Sequence, residues 1–287
     1  MAAAQDFTLH THTVGFDGRN TPAQMVARAC EMGFRTIGIS NHFIVYPGIS
    51  RARMYWYARR GGYDGIYSES FDATIEKFRA HYTELDALAG KYDIRILRGI
   101  EVDFFTYPTW RDEFERAVRI LRPDYTIGSA HFVVHDGRLC NTHDAANAAP
   151  ADQTAILNKY WENVAMAASS GLFTWMAHLD LFKKTGLGTG DQWAPAENRA
   201  LDAIRDAGIG LEVNTSPYSA HYSEPYPGAR IMRGVAARNI PVLVSDDAHA
   251  ANQIGRDFER AEQFITQMGV KNRLGIQKIL DFRSKTL

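Results

Sequence analysis

Cysteine is nearly absent from this 287-residue chain; Cys30 and Cys140 are the only two. Two thiols build neither a disulfide framework nor a thiolate metal cage, so apolar packing must hold the core, and the pattern fits a reducing cytosol. An excess of charge of one sign is missing as well. Lys+Arg 32 against Asp+Glu 33 leaves a formal charge of -1, which supplies no overall field to draw in a nucleic-acid backbone or an anionic membrane. Neither partner is expected, and an anionic ligand has to be met by local charge. The opening residues MAAAQDF have neither the basic start nor the apolar centre of a secretory signal. No apolar run approaches the length of a membrane span. A cytoplasmic protein is expected, and the sequence leaves its oligomeric state open.

What is present suits one ordinary core. With 45% hydrophobic and 23% charged residues, the composition is that of a soluble globular chain. A chain of this mass exposes about 12,000 Å² folded against about 47,000 Å² unfolded, enough burial to dispense with covalent staples. Internal repeats, low-complexity tracts and linkers are lacking, so residues 1–287 read as a single domain.

Periodicity divides the chain into alternating strands and helices. Extended segments are expected at Phe7–His12, Thr36–Ser40, Arg95–Phe104, Tyr125–Val133, Thr174–Leu179, Gly210–Thr215 and Pro241–Ser245. Helices are expected at Thr21–Met32, with Thr21 as N-cap and Gly33 as stop, at Ser70–Ala89, and at about 110–121, 152–169, 194–207, 227–238 and 252–267. Seven strands alternating with helices predict an α/β fold, a distorted seven-stranded (β/α)7 barrel; an open doubly wound sheet ranks second because no Gly-rich phosphate loop follows the first strand. The stretch 44–69 interrupts the rhythm with Tyr46, Arg51, Arg53, Tyr55, Trp56, Tyr57, Arg59, Arg60, Tyr63 and Tyr67. Its position after a strand end favours a lid-like insertion over one that packs on a neighbouring subunit.

The chain has ten histidines, and six of them sit at or just past a predicted strand end: His10, His12, His42, His131, His178 and His249. Asp17, Glu101 and Asp247 join them from strand ends or the loops above. Taken singly each has an ordinary explanation, such as a polar channel for His10-Thr11-His12, a turn for Asp17-Gly18, or a satisfied core imidazole for His131 or His178. Together, six imidazoles and three carboxylates at one barrel mouth would be costly without a shared cation, and they are the usual ligands of zinc, iron or manganese. Of the other four, His81 is expected on the surface of a helix and His135 and His143 in solvated loops, while His221 is a candidate proton donor to a leaving group.

The motifs Leu9-His10-Thr11-His12, Phe16-Asp17-Gly18, Ser40-Asn41-His42, Gly99-Ile100-Glu101-Val102-Asp103, Gly128-Ser129-Ala130-His131-Phe132, Ala177-His178-Leu179-Asp180-Leu181, Glu212-Val213-Asn214-Thr215 and Ser245-Asp246-Asp247-Ala248-His249 resemble the polymerase and histidinol phosphatase (PHP) superfamily. Within it they are most similar to the monofunctional histidinol-phosphate phosphatases, from about residue 7 to residue 270. The resemblance implies a distorted seven-stranded barrel with two to three divalent ions, zinc, iron or manganese. His10, His12, Glu101 and Asp247 would hold the first, Glu101 with His131 and His178 the second, and Asp17, His42 and His249 the third. Asp103, Asp180 and Asn214 would orient the imidazoles. It also implies hydrolysis of a small phosphate monoester, in which hydroxide held between cations attacks phosphorus in line with the leaving alcohol, with Glu101 and Asp247 catalytic as ligands; His221 joins them as a catalytic candidate on its position alone. The arginine that such phosphatases commonly carry after the Asn214 motif is missing, with no basic residue before Arg230. Lys183 or Lys184, or Arg51 and Arg53 of the insertion, are the candidate replacements, with a solvated surface as their ordinary explanation. A nucleotide-like mono- or diester, or a non-catalytic metal-binding barrel, are the competing readings.

Overall fold

The computed structural model describes residues 5–220 and 222–286. Seven parallel strands form its centre: Phe7–Thr8, Thr36–Ile39, Arg95–Asp103, Tyr125–Ser129, Trp175–Met176, Gly210–Asn214 and Val242–Ser245. Each pairs with the next in that order. The first and last segments complete the ring through a parallel bridge of Thr11 with Ala248, where the His12 N–H donates to the Ala248 carbonyl at 2.8 Å. Lower down, the side-chain amide of Gln5 takes the place of a strand neighbour. It donates to the Val244 carbonyl at 2.7 Å and accepts from the Val244 N–H at 2.9 Å. The seam is nearly closed, which is the distorted barrel the sequence predicts.

Strand alternation sorts the side chains between two clusters. Phe7, Leu9, Leu97, Tyr125, Ile127, Trp175, Ala177 and Leu243 fill the interior, with Leu274 and Ile279 from the C-terminal segment. Ile37, Ile39, Ile100, Val102, Leu211, Val213, Val242 and Val244 pack outward with the helices. The Tyr125 ring stacks on Trp175 at 5.0 Å and donates from its hydroxyl to the Leu9 carbonyl. Glycine is required beside it, because a Cβ at Gly38 or Gly99 would lie 2.0 or 2.3 Å from the phenol. This packed floor lies beneath the strand ends, so polar side chains there project from a rigid base.

Helix Pro22–Glu31 starts on Thr21 with a capping box to Gln24, and Gly33 follows its end at φ 82°. Helices Trp110–Leu121 and Ala194–Ala207 have the expected bounds, while Phe71–Asp86, Pro150–Ser169 and Ala229–Ala237 differ by a few residues. The last expected helix is confined to Phe258–Gln267, and Ile276–Thr286 is an additional one. The expected strand Tyr125–Val133 stops at Ser129. After it Phe132–His135 and Arg138–Asn141 form a hairpin whose turn residues Asp136 and Gly137 have φ 48° and 71°.

The stretch 44–69 is folded. Strand His42–Val45 continues beyond a break at Ser40-Asn41, with His42 opposite Glu101. The chain then runs through helix Arg53–Gly61 and returns as Tyr67–Ser68 alongside Ile44 and Val45. Among the described residues, no helix is long and apolar enough to cross a membrane. Cys30 and Cys140 are free thiols.

Candidate metal centre

Parallel strands bring their carboxyl ends to one rim, and the nine sequence-selected residues meet there. Glu101, at the inward-facing end of Arg95–Asp103, is the hub. Its carboxylate lies 2.8 Å from His42 Nδ1, 3.0 Å from His178 Nε2, 3.3 Å from His10 Nε2, and 3.6 Å from both His12 Nε2 and His131 Nε2. Asp247 lies 3.3 Å from His12 Nε2 and 3.6 Å from both His10 Nε2 and His249 Nδ1. Asp17 lies 3.1 Å from the Nε2 atoms of His42 and His249 and 3.5 Å from His12 Nδ1. His178 and Asp247 have positive φ, 20° and 48°, a conformation a side chain adopts only when its surroundings hold it.

A second layer aims the imidazoles. Glu212 Oε2 meets His10 Nδ1 at 2.8 Å, and Glu212 Oε1 accepts from the His178 N–H at 3.0 Å and from Asn214 Nδ2 at 2.9 Å. Asp103 takes His131 Nδ1 at 2.9 Å and the His131 N–H at 2.7 Å. Asn214 donates also to Asp247 Oδ2 at 3.3 Å. Carboxylate-backed imidazoles of this kind typically present the other ring nitrogen to a metal.

The electrostatics show what the cluster needs. Burial works to raise the pKa of Glu101, but His42, His10 and His131 outweigh it and hold the carboxyl well below its ordinary value. Asp247 and Asp17 follow the same pattern. Burial opposes protonation of His10 and His42 too, yet the surrounding carboxylates raise both well above the ordinary value. His249 rises to about 9 against burial, through its bond to Asp17 and the charge of Asp247. His12, buried and beside His249, falls to about 4. The carboxylates at this rim therefore favour positive charge beside them. Several buried atoms of the cluster have no hydrogen-bond partner: His10 Nε2, both ring nitrogens of His12, Asp17 Oδ1, His42 Nδ1, Glu101 Oε2 and His178 Nδ1. Divalent cations fit this donor set, since each orphaned atom is a metal ligand type and four sets converge within 4.8 Å: His12-Asp17-His42-His249, His10-His12-Asp247, His10-Glu101-His178 and His42-Glu101-His131.

The sequence matches the PHP domain model over residues 6–216. It is 30% identical over 207 residues to a Deinococcus radiodurans protein named probable histidinol-phosphatase, covering 71% of this chain and 77% of that one. The chain belongs to the PHP domain family. A Lactococcus lactis histidinol phosphate phosphatase, solved with zinc, L-histidinol and phosphate, superposes on this PHP domain with a TM-score of 0.68 at 16% identity, over 96% of this chain and 98% of that one. At that identity the likeness is one of fold.

Around the cluster the PHP domain places the remaining expected residues unevenly. A cavity of about 190 Å³ is lined by Asp17, His42 and His131 on one side and by Met54, Tyr63, Ile66, Tyr67, Phe132, His143 and Lys184 on the others. Lys184 is thus at the site. Burial lowers the pKa of its ammonium, and Asp247 opposes the shift. Lys183 is elsewhere, bonded to the Pro225 carbonyl at 2.5 Å and paired with Asp180 at 3.2 Å. Asp180 correspondingly accepts from the Gly228 N–H, so its observed bonds tie loops together and orient none of the imidazoles. Arg51 and Arg53 are exposed on the insertion, and Arg53 bonds the Tyr57 hydroxyl. His221 lies outside the described residues.

Sequence reasoning passed over Glu212 as an orienting residue and His143 as a cavity residue. It also placed His81 wrongly. His81 is buried, 6% exposed, with Nε2 3.1 Å from Asn41 Nδ2. Its position three residues after Phe78 and four before Leu85, on the apolar stripe of Phe71–Asp86, was the available signal. Burial, with Lys77 nearby, lowers its pKa to about 4. A histidine that titrates lower folded than unfolded stabilises the fold fully above about 6.5, and that contribution is lost as pH falls toward 4. Between pH 7 and 4.5, chelator-treated wild type is expected to lose about 2 kcal/mol more unfolding free energy than His81→Gln. Parallel pH profiles in urea titrations would refute this.

Proposed function

We propose that this PHP domain is a metal-dependent phosphomonoesterase, with histidinol phosphate as its substrate. The convergence of six imidazoles and three carboxylates, with seven buried ligand atoms unpartnered, carries the reading. The name of the Deinococcus relative supports the substrate. His10, His12, Glu101 and Asp247 would hold one ion, Glu101, His131 and His178 a second, and Asp17, His42 and His249 a third. Zinc, iron or manganese bound there would neutralise phosphate charge and bring the pKa of water toward neutrality. Glu101 contributes the charge that the imidazoles share, and Glu212 and Asp103 fix ring orientation. Lys184 takes the place of the absent arginine as the cation meeting phosphate oxygens. Met54, Tyr63, Ile66, Tyr67 and Phe132 offer an apolar, aromatic wall to the leaving group, and the 44–69 insertion serves as lid for a single domain spanning the chain. A cytoplasmic setting belongs to the same reading, supported by the free thiols.

The test is a steady-state comparison of kcat/KM for histidinol phosphate against other phosphate mono- and diesters, each with manganese, zinc and iron, alongside elemental analysis. Two or more equivalents of metal per chain and the highest kcat/KM for histidinol phosphate are expected. One equivalent or none sinks the multinuclear centre. Failure to release phosphate from every ester would favour a non-catalytic metal-binding barrel, and a preferred diester would move the substrate class.

A further inference from the structure

The loop Thr13–Gly18, which carries Asp17, and the turn 61–65 of the insertion face each other across a cavity of about 550 Å³ lined by Val14, Gly15, Asp17, Tyr63, Gly65 and His249, among others. One side chain from a third element joins the two walls. Lys77, half-buried on helix Phe71–Asp86, donates from Nζ to the Gly65 carbonyl at 2.5 Å and places the same ammonium 4.1 Å from the centre of the Phe16 ring. Phe16 is the neighbour of Asp17. Its ring is wedged against Phe78 at 5.1 Å and His81 at 5.5 Å, so Lys77, Phe78 and His81 form one platform under the loop. From the other side Asn41 Oδ1 accepts from the Thr13 N–H at 2.8 Å, and Asn41 Nδ2 lies near His81.

We infer that Lys77 is a positioning residue that couples the seating of the insertion to the placement of Asp17, and so sets the affinity of the Asp17-His42-His249 ion site selectively. The inference rests on the three-ion reading above. Its physical content is a matter of sign. An ammonium near a cation site repels the cation, so loss of its charge alone would tighten binding. Loss of the tie to Gly65 and of the cation–π seat under Phe16 frees the loop, and a carboxylate that must be ordered on binding gives a weaker site.

Chelator-stripped protein titrated with Mn2+ by calorimetry decides between the two. For Lys77→Met, which keeps the aliphatic stem, the dissociation constant of one equivalent is expected to rise about tenfold while the others stay within twofold, and amide exchange at residues 63–66 is expected to accelerate. Lys77→Arg, which keeps both donor and charge, is expected to restore wild-type binding. Unchanged or tighter binding of every equivalent by Lys77→Met overturns the inference while leaving the three-ion reading intact. Wild-type protein taking up fewer than three equivalents removes that reading itself, and the inference with it. If Lys77→Met does not fold, Phe16→Leu, which removes the ring beneath the ammonium together with its contacts to Phe78 and His81, is expected to weaken the same single equivalent; equal weakening of all of them overturns the inference.

Discussion

Glu101→Gln is expected to lower kcat/KM for histidinol phosphate at least about 10³-fold, a loss of about 4 kcal/mol of transition-state stabilisation, and to remove at least one metal equivalent per chain. The expectation follows from the position of this carboxylate among five imidazole nitrogens, all 2.8 to 3.6 Å away. Glutamine has nearly the same shape and should leave the packing of Arg95–Asp103 undisturbed. It removes the negative charge, however, and replaces one acceptor oxygen by an NH2 group pointed at ring nitrogens that are themselves meant for a cation. Any ion that Glu101 would hold would be held more weakly, since an amide is a far poorer ligand than a carboxylate. Circular dichroism, elemental analysis and turnover measured on the same preparation separate the possibilities. Native ellipticity with unchanged metal content and activity, accompanied only by a lower melting temperature, would assign Glu101 a structural role and favour the non-catalytic barrel.

That Glu101 could be chosen from the sequence at all reflects a geometric regularity. In a parallel barrel the strand ends share one rim, so a ligand-type residue at the end of each apolar run is brought near the others whatever the details of packing. His10 and His12, two apart on an extended segment, therefore point the same way, and Glu101 and Asp247 could be selected from the end of one strand and the loop just after another. The partners that depend on contacts distant in sequence were less visible. Glu212 reads as a polar residue inside an apolar strand, and only the barrel's closure sets it against His10, 202 residues earlier. His143 reaches the cavity because the Asp136-Gly137 turn folds the chain back over the mouth, and that hairpin followed a strand end that periodicity placed four residues too late. Lys183 and Lys184 are adjacent and chemically equivalent in the sequence. The turn Leu181–Thr185 divides them, sending Lys184 to the cavity and Lys183 to Asp180 and the Pro225 carbonyl.

Asp247→Asn is the sharpest test of ligand chemistry, because here the substitution is free of backbone cost. Asp247 sits at φ 48°, a region that asparagine enters as readily as aspartate and that alanine enters only with strain. The change should therefore leave the backbone of the metal-free protein native, as read by circular dichroism, even though the charge pairing with the imidazoles is lost. Turnover is expected to fall about 10²- to 10⁴-fold, or about 3 to 5 kcal/mol. Two effects act in the same direction. The charge shared by His10, His12 and His249 disappears, so a cation held there gains less. The orientation of the new amide is also dictated by its neighbour: Asn214 donates from Nδ2 to Asp247 Oδ2 at 3.3 Å, so an asparagine at this position turns its oxygen toward Asn214. Its NH2 group then faces the Nε2 atoms of His10 and His12, which lie 3.6 and 3.3 Å from the present Oδ1. A donor takes the place of a ligand at the point where three imidazoles converge. Near-normal turnover of Asp247→Asn would mean that the ions are held without this residue, and Asp247 would leave the ligand set.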